Sequence, residues 1–249
     1  MRQPHRWEEL LPEEFNEEMA RASIVYLACG AMEDHGLHNA LGSDPYTAYE
    51  TCLRAAEISG GIVFPPIPFA PAGIPGYSRE ELRSGTRDLY PPSLWVSGEL
   101  CERIYVEVLE SLADMGVRVC MANGGHWPAD LLLQRIEKEH EGHIGSMRFW
   151  GGGTVRLLED ANRQLAQEDP LALGHGTMWE TSLLMAFRPD WVDVARAARI
   201  AQSPIPSQLK RTSPEKIAHI SAANPALGNR MINLAAQRLA AKARELLAS

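Results

Sequence analysis

The chain has 249 residues and carries 24 Lys and Arg against 32 Asp and Glu, a formal net charge of −8 at pH 7. That length allows one large domain or two small ones, and 45% hydrophobic against 22% charged residues is the balance of a globular protein with a substantial core, which excludes a disordered or collagen-like chain. The acidic surplus has no concentrated basic patch to meet nucleic acid, and no apolar run suits a secretory signal or a membrane span, so a cytoplasmic protein with neither partner is expected.

Residues 23–29 form a short apolar, β-rich run closed by Gly30, which predicts a buried strand, and 117–121 repeats the signal. Between them 45–57 and 93–115 read as helices, the second with Leu100, Ile104, Val108, Leu112 and Met115 at helical spacing. Further helices are predicted at 129–140, 155–167, 178–187 and 226–247, and a further strand at 144–150. Strands alternating with helices predict an α/β fold with a mostly parallel sheet flanked by helices. Cys29, Cys52, Cys101 and Cys120 form no Cys-x-x-Cys pair and read as small core residues. Two stretches interrupt the alternation: 64–92, with seven prolines, and 201–225, with four. Both are long for connections in a compact domain, and the first is a candidate active-site wall or subunit contact.

The first strand runs into Gly30-Ala-Met-Glu33-Asp-His35-Gly36, followed by Gly42-Ser-Asp44-Pro45. Glu33 and His35, two residues apart in extended chain, leave the same face just beyond the strand. Carboxylate oxygen and imidazole nitrogen converging there suit Zn²⁺, Mn²⁺ or Fe²⁺. The bland alternative is a polar loop, with Asp44 as a helix N-cap before Pro45 at the first helical position. The second strand leads to Asn123-Gly-Gly-His126-Trp127-Pro128, which brings another imidazole to the edge where ligand sites of open α/β sheets lie. A third cluster, Gly174-His175-Gly-Thr-Met-Trp-Glu180-Thr181-Ser182, opens an apolar helix. There Glu180 is a metal ligand, a support for one, or a partner of the helix dipole, and His175 is a proton carrier suited to neutral pH or a loop residue.

In this combination the chain resembles the creatininase (creatinine amidohydrolase) family. Gly30, Glu33, His35, Gly36 and Asp44 match that family's first signature, Gly-x-x-Glu-x-His-Gly with a following Asp. Asn123 to His126 resembles its Asn-Gly-His loop, His175 to Ser182 its His-x-Gly-x-x-Glu-Thr-Ser motif, and Ser84-Gly85-Thr86 a reduced Phe-Pro-Gly-Thr element. The resemblance implies a single creatininase-like domain over 1–249 that hydrolyses a C–N bond of a small cyclic amide, formamide or related carbonyl compound. It implies one or two divalent ions, zinc first and manganese or iron(II) as alternatives. Glu33 and His35 are then on different ions, Asp44 bridges them, His126 completes one set, and Glu180 is a further ligand or a catalytic partner. His175 falls on the family's catalytic histidine, Trp150 on a tryptophan that packs against substrate, and Trp127 beside His126 adds a second flat surface. A closed homo-oligomer, such as a hexamer, is also implied.

Several departures shape the expectation. The His126 loop is one glycine longer than the family's, Pro128 stands where a carboxylate ligand is expected, and Leu171 falls where a second aromatic wall would be. Arg79, Arg83 and Arg87 crowd the reduced element, either as a solvated face or to receive an anionic or polyhydroxylated substrate. The substrate is therefore not expected to be creatinine itself, and a lactone, a cyclic polyol ketone or binding without turnover are the alternatives. A serine hydrolase lacks its Gly-x-Ser-x-Gly elbow here, and Gly151-Gly-Gly153 lacks the spacing of a nucleotide-binding loop.

Overall fold

The computed structural model describes residues 5–73, 77–83 and 92–249. The Ser84-Gly85-Thr86 element, Arg87 and the Arg83 side chain lie outside the described residues, and Arg79 is exposed. Five strands, β1 Ile24–Cys29, β2 Ile62–Val63, β3 Val119–Gly124, β4 His143–Ile144 and β5 Met147–Gly153, form one sheet in the order β2-β1-β3-β5-β4. All pairings are parallel except β4 with β5. The helices are α1 Pro12–Arg21, α2 Ser43–Ser59, α3 Arg79–Arg83, α4 Gly98–Asp114, α5 Trp127–Glu139, α6 Thr154–Leu157, α7 Glu159–Glu168, α8 Met178–Met185, α9 Pro214–His219 and α10 Pro225–Ala248.

Strand periodicity divides the core in two. Ile24, Tyr26 and Ala28 of β1 face one side with Val119 and Met121, against α2, α8 and α10. Val25, Leu27 and Cys29 face the other with Cys120, Ala122 and Phe149, against α4 and α5. A strand covered on both faces has no polar side, which is why these segments read as unbroken apolar runs. All four cysteines are buried and free, as expected of core residues.

The differences from the sequence expectation have local causes. β3 extends past 121 through Asn123 and Gly124, and β5 through Gly151, Gly152 and Gly153, because ladder pairing between β1, β3 and β5 overrides weak strand propensity. The predicted helix at 93–115 begins only at Gly98, where the Ser97 hydroxyl accepts the Leu100 N–H. The helix predicted at 155–167 is two, α6 and α7, parted at Leu158. α2 starts two residues earlier than an Asp44 cap requires, with Gly42 as its cap, so Asp44 sits in the first turn with its carboxylate available. No helix among the described residues is long and apolar enough to cross a membrane.

Candidate metal centre

The sheet register aligns Cys29 of β1 with Gly124 of β3, and Gly124 with Gly153 of β5, so the loops that follow emerge at one edge. The β1 loop carries Glu33 and His35, and Asp44 comes from the first turn of α2. His126 caps α5 immediately after β3. The extra glycine of this loop has a steric reason: a Cβ on Gly125 would collide with the Asp44 carbonyl oxygen. Gly125 thus lets two ligand-bearing segments touch, and its amide donates to the Cys29 carbonyl at 2.8 Å. Its presence brings His126 into the cluster rather than displacing it.

The donors converge. Asp44 presents Oδ1 to His35 Nε2 at 2.9 Å and Oδ2 to His126 Nδ1 at 3.0 Å. Glu33 Oε1 lies 3.2 Å from His126 Nδ1, 3.4 Å from His175 Nδ1 and 3.8 Å from His35 Nε2. Glu180 Oε2 lies 3.6 Å from His35 Nε2 and accepts the Gly176 N–H at 2.5 Å. Two trios, Glu33 with His35 and His175, and Glu33 with Asp44 and His126, each bring one donor atom per residue within 4.8 Å of the others.

Tautomers sharpen this geometry. His35 Nδ1 lies 3.2 Å from the Glu33 carbonyl oxygen, and His175 Nε2 lies 2.6 Å from the Asp34 carbonyl oxygen. Carbonyl oxygens only accept, so in the neutral rings those nitrogens carry the hydrogen. The opposite nitrogens, His35 Nε2 and His175 Nδ1, then direct lone pairs toward carboxylates. His35 Nε2, Asp44 Oδ2 and His126 Nε2 are buried and make no well-aligned hydrogen bond. Lone pairs facing carboxylates in a buried site require a proton or a cation between them, and a neutral imidazole fixed by a backbone carbonyl is how metal-ligating histidines are held. The donor set fits a hard or borderline divalent ion.

The electrostatics agree. Burial works against protonated His35 and His126, but the surrounding carboxylates outweigh it. His35 is raised well above its ordinary value by Asp44, Glu180 and Glu33, and His126 to about 10 by Glu33 and Asp44. Burial also opposes ionised Asp44, yet His35 and His126 hold it below the usual carboxylate range. Glu180 is pushed up by burial against the pull of His35 and His175. Three carboxylates in one pocket attract positive charge, which protons or a divalent ion can supply.

Glu33, Asp44, His126, His175 and Glu180 line a cavity of about 900 Å³, while His35 is fully buried behind it. Trp127, 60% exposed, also lines the cavity, whereas Trp150 does not. Trp150 is 5% exposed in the α2/α10 core, opposite Met121 across the ladder and with the Arg156 guanidinium 5.4 Å over its ring. Trp95 and Trp179 line the cavity as well. Trp179 lies inside the His175 to Ser182 motif, which marks it in the sequence, whereas Trp95 belongs to no motif.

A mostly parallel α/β sheet with imidazoles and carboxylates gathered at its carboxyl edge defines a domain built to hold a divalent cation. The creatinine amidohydrolase (creatininase) family profile matches residues 8–243. Creatinine amidohydrolase of Pseudomonas putida is 26% identical over 187 residues, covering 70% of this chain and 67% of that protein. A creatininase structure designated Mn superposes with a TM-score of 0.70 at 23% identity, covering 96% of this chain and 97% of that one. A glutamate-to-glutamine creatininase of the Zn-Zn type also gives 0.70 at 23% identity, covering 98% of each. The chain belongs to the creatininase family, metal-dependent amidohydrolases acting on C–N bonds other than peptide bonds.

Proposed function

We propose that the protein hydrolyses the C–N bond of a small cyclic amide, formamide or related carbonyl compound other than creatinine. The observation that carries the metal dependence is the pair of Asp44 oxygens, one facing His35 and the other His126. Glu33, His35, Asp44 and His126 would hold one or two divalent ions, with zinc the first candidate, and Glu33 belongs to both trios. With Pro128 two residues beyond His126, Glu180 is the carboxylate left to complete a second ion's set. A divalent ion bound here supplies a Lewis acid for the carbonyl and a more acidic water.

The chain's own residues do the rest. His175 is tethered through Nε2 with Nδ1 3.4 Å from Glu33 Oε1, and Nδ1 would accept a proton as water adds to the carbonyl carbon and deliver it to the nitrogen as the C–N bond breaks. Trp95, Trp127 and Trp179 offer flat walls suited to a ring or planar amide. Pro128 lines the same cavity, so both its shape and its charge depart from a creatinine pocket. A screen of cyclic amides, formamides, lactones and cyclic polyol ketones against zinc- and manganese-loaded protein tests the reading. Metal-dependent turnover of an amide is expected. Creatinine hydrolysis at about 10⁴ M⁻¹s⁻¹ or more, the range of dedicated enzymes, would overturn the specificity.

We further propose a closed homo-oligomer. Leu94 and Leu100 are 47% and 45% exposed near the cavity wall residue Trp95, an apolar surface that assembly would cover. A monomer in sedimentation at micromolar concentration would refute it.

A further inference from the structure

No motif assigns a task to the 201–225 stretch, yet its Gln208, Arg211 and Thr212 line the cavity. A 3₁₀ turn, Gln208–Arg211, carries the first two, and Ser207 Oγ accepts the Leu209 N–H at 3.3 Å to start it. Two attachments fix this wall to the loops that hold the metal donors.

One is polar. Asp34, buried between Glu33 and His35, accepts the Ser207 hydroxyl at 2.5 Å and the Gln208 N–H at 3.0 Å on Oδ2, and the Gly36 N–H at 3.2 Å on Oδ1. The other is apolar. Leu209 is 1% exposed, and a Cβ on Gly36 or Gly176 would come within 2.8 or 2.6 Å of its methyl carbons. Both glycines have positive φ, +83° and +62°, so a side chain is excluded there by conformation as well as by space. Leu209 is thereby wedged against the loop of His35 and the loop of His175 together.

Asp34 also reaches the proton carrier, since its backbone carbonyl is the acceptor of His175 Nε2–H at 2.6 Å. We propose that Asp34 is a positioning residue that registers the 207–212 cavity wall to His175, so that one buried junction sets both the surface that holds the far part of a substrate and the imidazole that moves its proton. The proposal rests on the role given to His175 above. It follows from acceptor count: a carboxylate offers two oxygens to three donors, whereas an asparagine offers one oxygen and must abandon either Gly36 or the Ser207–Gln208 pair. Hydrogen bonds to a charged acceptor are roughly twice as strong as neutral ones, so the loss falls on the wall and on the loop geometry that aims His175.

The test uses the full chain, zinc-loaded and labelled with ¹⁵N-histidine. In the unsubstituted protein His175 should show a protonated Nε2 and an unprotonated Nδ1. In Asp34→Asn the zinc content should stay the same while the His175 ring exchanges between tautomers. Amides of 207–212 should exchange hydrogen about tenfold faster, the effect of losing one hydrogen bond to a charged acceptor. Ser207→Ala, which leaves Asp34 intact, should shift both readouts in the same direction by less, and it carries the test alone if the asparagine variant does not fold. A loosened wall with the His175 ring unchanged reduces Asp34 to a loop tie and overturns the proposal, as does a wall protected to the same degree in both proteins. Failure of the unsubstituted chain to bind zinc would sink the metal reading instead.

Discussion

His35 Nε2 stands 2.9 Å from Asp44 Oδ1 while its Nδ1 is engaged by the Glu33 carbonyl, so a neutral His35 meets Asp44 through a nitrogen that has no hydrogen of its own. Two lone pairs at that distance repel unless a proton or a cation lies between them. Competition between those two occupants governs how the protein answers to metal and to pH.

Chelator-treated protein given zinc or manganese should take up at least one equivalent per chain, as measured by elemental analysis after gel filtration. Asp44→Asn removes the negative charge shared by His35 and His126 and should lower that content sharply. Full metal content in a folded Asp44→Asn protein would place the ion elsewhere.

Stability of the metal-free protein should fall as pH rises above neutral. The folded-state pKa of His126 is raised from 6.5 to about 10, with His35 raised also, so their contribution is complete below pH 6.5 and is lost as pH climbs through 10. Asp44, depressed, contributes above its ordinary 3.8 and loses that contribution on acidification. In the zinc-loaded protein the ligating nitrogens carry no proton, so the alkaline decline should be absent. Melting temperatures of both forms across that range decide the matter: parallel curves would contradict the coupling.

His175→Gln should retain metal and lose turnover on whichever amide the screen identifies. The expected reduction is about 10²- to 10⁴-fold, the usual effect of removing a general acid or base. Loss of metal together with activity would move His175 into the ligand set.

Gly228 of α10 is where that helix meets the start of the core beneath α8, and a Cβ there would run into the Ser182 carbonyl. Gly228→Ala should therefore destabilise the fold by about 1–3 kcal/mol through overpacking, read as a lower urea midpoint with unaltered zinc content. A gain in stability, as expected of alanine in an unconstrained helix, would show that the two helices can separate without penalty.

Much of the centre was legible because its donors sit in short motifs tied to strand ends: Glu33 and His35 after β1, His126 after β3, and His175 and Glu180 ahead of α8. Three kinds of residue were not. Ile62–Val63 is too short to show a period, and Pro12–Arg21, although Phe15 and Met19 share one face behind Pro12 at the first helical position, is a short, highly charged segment that buries no residue fully and so lacks an apolar run to announce it. The family resemblance points Trp150 toward substrate, whereas strand alternation sets it with Met121 on the α2/α10 face, a matter of register rather than residue type. Trp95 and Thr212 reach the cavity from irregular chain and Gln208 from a single 3₁₀ turn, where tertiary contacts decide position.

Both outer strands of the sheet, β2 and β4, are two residues long, and β4 turns antiparallel to its neighbour. Exposed strand edges are the templates on which chains join by backbone pairing and from which fibrous aggregates grow. A sheet whose borders are this brief leaves little backbone for such recruitment. Among the described residues, an assembly of this chain has side chains on helices and loops to use rather than long free strand edges that would lengthen the sheet from one subunit into the next.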